Sequence, residues 1–149
     1  MNEVDVMNLV AAQVRNVSGF STSNVTVGKW GILNSGNSKA YAIIKPGVTE
    51  RPPLTFSVFD NQGQTIIQVW QRYKDDGTTL TDLMANVDLI VARLDQYWQL
   101  ADTSNTLRNA DVSSKGEVME RWDNDGALSW LSRDIVVSWQ KEEAVTYAE

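Results

Sequence analysis

Apolar side chains recur at three- and four-residue steps in two stretches of the chain and alternate with polar ones in most of the others. Val4, Met7, Val10, Ala11, Val14 and Val17 predict an amphipathic helix over residues 3–17. Asn2 is placed to cap it, Glu3 and Asp5 suit its positive end, and Ser18-Gly19 predicts its stop. Leu83, Val87, Ile90, Val91, Leu94, Tyr97 and Trp98 predict a second helix over 81–98, with Thr81 as its cap and Asp82 in its first turn.

The alternating segments predict strands. Val25, Val27, Trp30 and Ile32 mark one over 24–33, with a parity change at Gly28 that suggests a bulge. Asn34-Ser35-Gly36-Asn37-Ser38 reads as a turn into a strand over 39–45 carrying Tyr41 and Ile43, so the two should form a hairpin. Pro46-Gly47 should end that strand, leaving 46–53 as a projecting loop, because prolines cannot donate to a central ladder. Leu54, Phe56 and Val58 alternate on the next strand, and Asn61-Gln62-Gly63 reads as a tight turn. Ile66, Ile67, Val69, Trp70 and Tyr73 place apolar groups on both faces of a strand over 64–74. After the second helix, 99–113 has no period and reads as a long loop. Strands are predicted over 114–122 and 132–141, separated by the turn Asp123-Asn124-Asp125-Gly126, and Lys141-Glu142-Glu143 begins a polar tail.

These elements make an α+β class: a mixed, mainly antiparallel sheet packed against one long amphipathic helix plus an N-terminal helix. A chain of 149 residues is most simply one domain. Its core should bring Leu83, Val87, Ile90, Val91 and Leu94 against Phe56, Ile67, Val69 and Ile135. No apolar run approaches the ~18 residues of a membrane span. The acidic N-terminus lacks the pattern of a secretory signal, so folding in a cytoplasm is expected.

Composition narrows the chemistry. The chain has six tryptophans and neither histidine nor cysteine. There is no imidazole base or ligand, no thiolate and no disulfide. Asp123-Asn124-Asp125-Gly126 fails as a calcium loop: with Gly126 at the sixth position, Arg121 and Ser132 would fall where carboxylates are needed. No Gly-x-Ser-x-Gly elbow or phosphate-cradling loop is present. The expectation is a non-enzymatic protein without cofactor or metal, with a carboxylate-paired enzyme and a monomeric module with an aromatic pocket as alternatives. Large aromatic side chains suit interfaces. Trp70, Trp98 and Trp139 lie on apolar faces and are expected in the core, whereas Trp30, Trp122 and Trp130 sit near turns and parity breaks. With Glu50, Arg51 and Arg108 from the two predicted loops, these last three are the candidate partner or oligomer contacts.

The net charge is −6, and residues 111–149 alone carry four cations against nine acids. Without a Lys/Arg cluster, binding to nucleic acid through phosphates is disfavoured.

The order helix, four strands, long helix, two strands resembles the tail terminator (tail completion) proteins of long-tailed bacteriophages. The N-terminal helix Val4–Val17 is similar to that family's first helix. The run from Phe56-x-Val58 to Trp70-x-Arg72-Tyr73, a turn and then Leu83–Leu94 is similar to its central strand-then-helix unit. Arg133-Asp134-Ile135-Val136-Val137-Ser138-Trp139 looks like its last strand. The resemblance implies a homohexameric ring at the tail–neck junction of a virion, assembled in the host cytoplasm. Such a ring caps the tail tube, ends its polymerisation and docks it to the connector or stopper protein of the head neck. It would enclose the DNA passage without specific DNA binding, and it touches no membrane. Head-completion stoppers and connector subunits share the pattern and stand as the nearest alternative.

Overall fold

The computed structural model describes residues 2–28, 39–52, 58–97 and 109–144. In chain order they form α1 (Glu3–Val14), β1 (Val25–Val27), β2 (Ala40–Glu50), β3 (Val58–Arg72), α2 (Thr79–Gln96), β4 (Asn109–Lys115), β5 (Met119–Trp122) and β6 (Leu128–Ala144). The fold is mixed α+β, as the periodicities predict. The strands make one six-stranded sheet in the order β1-β2-β3-β6-β4, with β5 also pairing β6. All pairings are antiparallel except β1 with β2, which is parallel, so these two strands are not the hairpin the sequence suggested.

β3 and β6 are the axis of the sheet. They pair without interruption from Val58↔Ala144 to Arg72↔Trp130. Asn61-Gln62-Gly63 therefore lies inside a strand rather than in a turn. Thr65 and Gly63 face the Trp139 ring, whose indole N–H donates to Thr65 Oγ1 at 3.2 Å. A Cβ at Gly63 would overlap that ring, lying 2.8 Å from both Cε2 and Cη2. The glycine is there for close approach, a use that a strand glycine shares with turn glycines at the level of sequence.

β2 likewise runs through Pro46-Gly47. β1 stops at Val27, opposite Ile44, and Gly28 N–H closes the ladder on Ile44 O at 2.9 Å. Beyond that point β2 has no second neighbour among the described residues. An edge tolerates a residue that cannot donate. The register shifts between Pro46 and Thr49, and Gly47 rides close over the Gln64 backbone.

β4 occupies 109–115, so the end of the predicted 99–113 loop is a strand, and 116–118 separate it from β5. Arg133 holds this break by donating from Nε to Gly116 O at 2.7 Å, while Gly116 N–H donates to Asp134 O. β6 is longer than 132–141 at both ends. Lys141 is 7% exposed within it and is not the start of a tail.

Both helices lie on one face of the sheet. α1 begins as expected, with a reciprocal cap in which Asn2 Oδ1 accepts from Asp5 N–H and Asp5 returns the bond to Asn2 N–H. It ends at Val14, three residues before the predicted stop. Its buried stripe is Val6, Met7, Leu9, Val10, Ala11 and Val14, and Val4, expected on that stripe, is exposed. α2 starts at Thr79 rather than after Thr81. Thr79 is buried, and its hydroxyl accepts from Lys74 N–H, so the preceding turn winds straight into the helix. Leu83, Val87, Ile90 and Leu94 are buried with Ile67, Val69, Ile135, Val137 and Trp139 in one core, and Val91 packs at its margin. Tyr97 is off that face, at the helix end, with the Arg93 guanidinium 4.1 Å over its ring. Phe56 and Trp98 lie outside the described residues. Among the described residues no helix is long and apolar enough to cross a membrane.

Candidate functional site

Alternation along the strands gives the sheet a second apolar face. On β2, Ala42 and Ile44 point into the helix-covered core, while Tyr41 and Ile43 belong to a separate cluster. On β3, Ile67 and Val69 face the helices and Trp70 faces the other way. Trp130 of β6 completes the second cluster.

Register brings these residues together. Tyr41 is opposite Trp70, and Arg72 is opposite Trp130. The Tyr41 and Trp130 rings meet edge to face at 5.4 Å, and the Trp70 and Trp130 rings do so at 6.5 Å. Two guanidiniums stack on this group: Arg72 lies 4.9 Å from the Trp130 ring and Arg121 4.9 Å from the Trp70 ring. Contacts of this kind are worth about 0.5–1 kcal/mol each at exposed sites and more when water is excluded. Arg121 is fixed further by a 3.1 Å bond from Nε to Ser132 Oγ. Below the rings, Gln68 Oε1 accepts from both the Trp70 indole N–H and Lys45 Nζ, each at 2.9 Å.

The cluster opens at the β5–β6 end into a groove of about 570 Å³, lined by Trp70, Glu120, Arg121, Trp122, Asp123, Ser129 and Trp130. Trp122 is 59% exposed and Met119 47%. The β5–β6 register shifts between Arg121 and Trp122, leaving Ser129 as the extra residue on β6, where it lines the groove beside Trp130. The Trp122 indole N–H donates to Glu120 Oε2 at 3.2 Å.

The turn below the groove is built on one carboxylate. Asp123 Oδ1 accepts from the Asp125 and Ala127 N–H groups, both at 2.9 Å, and Oδ2 accepts from Ser129 Oγ at 3.1 Å. The Ala127 N–H does most to hold the Asp123 carboxyl below the usual aspartate range, with Ser129 and Asp125 adding to it. Asp76 is lowered in the same way, first by the Thr78 hydroxyl and then by its N–H. These carboxylates are committed to their own turns. A general acid in glycoside hydrolysis needs a carboxyl shifted upward, the opposite direction. No group of three or more Asp or Glu among the described residues is placed to hold a metal ion.

Of the candidate contact residues, Trp122 and Trp130 share this groove. Glu50 and Arg51 sit exposed at the other end of β2, where Glu50 pairs with Gln62. Trp30 and Arg108 lie outside the described residues. The predicted 46–53 loop is strand as far as Glu50; Arg51 and Pro52 leave the sheet exposed, and Pro53 lies outside the described residues. The sequence pattern does not mark Tyr41, Arg72 or Arg121 as contact residues, and it places Trp70 in the core. Trp70 is indeed buried, yet in the second cluster and not under the helices. Their association depends on cross-strand register, which the alternation of a single strand does not reveal.

No protein-family model matches the chain, and no curated protein matches it. Among the solved structures that are similar, one matches over 97% of this chain and 93% of its own, at 12% identity and a TM-score of 0.47, a likeness too low to bear on function.

Proposed function

We propose that the protein is a structural subunit of a bacteriophage neck, a tail terminator whose ring caps the tail tube, ends its polymerisation and docks the tail to the head. The observation that carries this reading is the groove beside Trp122 and Trp130. It is an aromatic surface on the sheet face away from the helices, with Trp122 largely exposed. Large aromatic anchors of this kind concentrate binding energy at protein interfaces. Among the described residues the order is helix, three strands, long helix and three strands, one strand fewer before the long helix and one more after it than the order on which the resemblance to tail terminators is drawn, so that resemblance rests on the N-terminal helix, the β3-then-α2 unit and β6; the net charge of −6 suits a ring through which DNA passes without adhering.

The partners follow from the role: further copies of the chain in a hexameric ring, the tail tube protein on one side and a connector or stopper of the head neck on the other. The test is the mass of the purified chain, measured alone and after mixing with tail tube protein, with electron microscopy of the mixture. A hexameric mass and rings seated on tube ends are the expected result. Rings that bind the head connector but ignore tubes would assign the protein to another place in the neck. A chain that stays monomeric in both conditions would sink the proposal.

A further inference from the structure

We infer that the pocket between the start of α1 and Lys141 of β6 binds a small oxyanion, a phosphate or carboxylate group, with the Lys141 ammonium as its anchor. This pocket lies at the other end of the β3–β6 ladder from the aromatic groove, and its ligand is independent of the ring reading.

Lys141 is brought here by strand register. It stands opposite Asn61 and two residues beyond Trp139, so alternation turns it to the face that carries Trp139 and the helix-covered core. It is 7% exposed. Among the described residues no hydrogen bond or ion pair engages its ammonium. Lysine is almost never buried to this extent unless it is paired, because an enclosed charge without a partner is costly. A lysine can escape that cost by laying its stem along apolar surface and keeping its head in water. Lys141 and Trp139 instead line a pocket of about 280 Å³, room for a small ion and its water.

The remaining walls suit negative charge. Asn2 and Glu3 line the pocket, which puts the positive end of the twelve-residue helix α1 beside it. The cap takes up Asp5 N–H on Asn2 Oδ1, and Val6 N–H closes on Asn2 O. The Glu3 and Val4 N–H groups are then the ones a helix start leaves to an outside acceptor, and oxyanions are the usual acceptors there. Arg51 lines the pocket too, but it has a partner in its own chain, so an incoming charge falls on Lys141. One carboxylate opposes an anion, that of Glu3. Its Oε1 accepts from the Thr49 hydroxyl, and among the described residues no ion pair joins it to Lys141.

The test uses the full chain, with ionic strength held constant by sodium chloride. Inorganic phosphate and acetate are titrated in, and binding is read by calorimetry and by the Trp139 indole N–H resonance. Saturable responses are expected from the wild type. Lys141→Met should weaken binding by about tenfold or more, and Lys141→Arg should keep most of it. Glu3→Gln removes the opposing charge while leaving an acceptor for Thr49, and it should tighten binding severalfold. The ligand should raise the thermal midpoint of the wild type and leave that of Lys141→Met where it was. Circular dichroism checks that each variant folds; if Lys141→Met does not, the direction of the Glu3→Gln effect decides. Tighter binding of phosphate would assign the site to a phosphate group and tighter binding of acetate to a carboxylate, and either supports it. Responses no larger than those to chloride, a Lys141→Met chain that binds as the wild type does, or weaker binding by Glu3→Gln would each overturn the site.

Discussion

Gly63 and Trp139 face each other across the β3–β6 ladder so closely that the glycine has no room for a methyl group. Trp139 is 2% exposed, and its indole N–H is held by Thr65, so the ring cannot swing aside without losing a buried hydrogen bond. Gly63→Ala should therefore destabilise the fold by about 1–3 kcal/mol, the range for overpacking. Urea unfolding measures it. Gly63→Ala combined with Trp139→Leu should unfold at a higher urea concentration than Trp139→Leu would by simple addition, because the clash is gone. Strict additivity of the two changes would show that they do not meet.

The α2 core is the part of the fold most open to reading from sequence, and it gives the second expectation. Ile90 is fully buried among Ile67, Val69 and Ile135. Ile90→Asp should cost more than about 3 kcal/mol, since it buries an unpaired charge, while Ile90→Val should cost about 0.5–1.5 kcal/mol. Equal thermal stability of wild type and Ile90→Asp would contradict the packing of this helix.

The readings that succeeded and those that failed divide along a physical line. A helix carries its packing signal within one stretch: Leu83, Val87, Ile90 and Leu94 identify their own buried face. A strand's partners are elsewhere in the chain. Asn61-Gln62-Gly63 has the composition of a turn, and only the position of Trp139 explains it as strand. Pro46-Gly47 reads as a terminator, and only the end of β1 at Val27 makes that stretch an edge, among the described residues, where proline is tolerated. β4 looked like loop because its outward residues Asp111, Ser113 and Ser114 are polar, leaving Ala110 and Val112 as a short inward signal. The candidate site was half legible for the same reason. Trp122 and Trp130 stand near turns and could be named, but the joining of Trp70, Arg121 and Tyr41 to them is a matter of register.

Acid should weaken the fold through Asp76 and Asp123. Both carboxyls sit below their usual range because backbone N–H and hydroxyl groups favour the charged form. A lowered folded-state pKa contributes stability that is complete above the unfolded value, about 3.9, and is lost as pH falls through the folded one. The urea midpoint should thus fall on acidification below about pH 4, and it should fall less steeply in Asp76→Asn/Asp123→Asn, which keeps one acceptor oxygen at each position but cannot be protonated there. Midpoints taken from about pH 5 to pH 2 check this. Parallel curves for wild type and variant would mean that these turns contribute nothing to acid sensitivity.

Trp130 and Trp122 line one groove but should respond to truncation in opposite ways. Trp130 is packed between Tyr41 and Trp70, with Arg72 over its ring, so its loss removes three neighbours' contacts at once. Trp130→Ala should cost about 2–3 kcal/mol, less than the ~3–5 kcal/mol of a fully buried aromatic because the ring is only half-buried. Near-ultraviolet circular dichroism should lose the signal of the coupled rings. Trp122 is 59% exposed, and its indole N–H donates to Glu120. Trp122→Ala should leave unfolding within about 0.5 kcal/mol of wild type, as surface changes do. If the groove is an anchor, the same variant should lose subunit association disproportionately, since exposed tryptophans that become buried on binding dominate interface energy. Unfolding and sedimentation measured on both variants separate the two roles. A Trp122→Ala chain that is as stable and as associated as wild type would show that the exposed indole is surface and nothing more, and the contact would have to be sought elsewhere on the sheet.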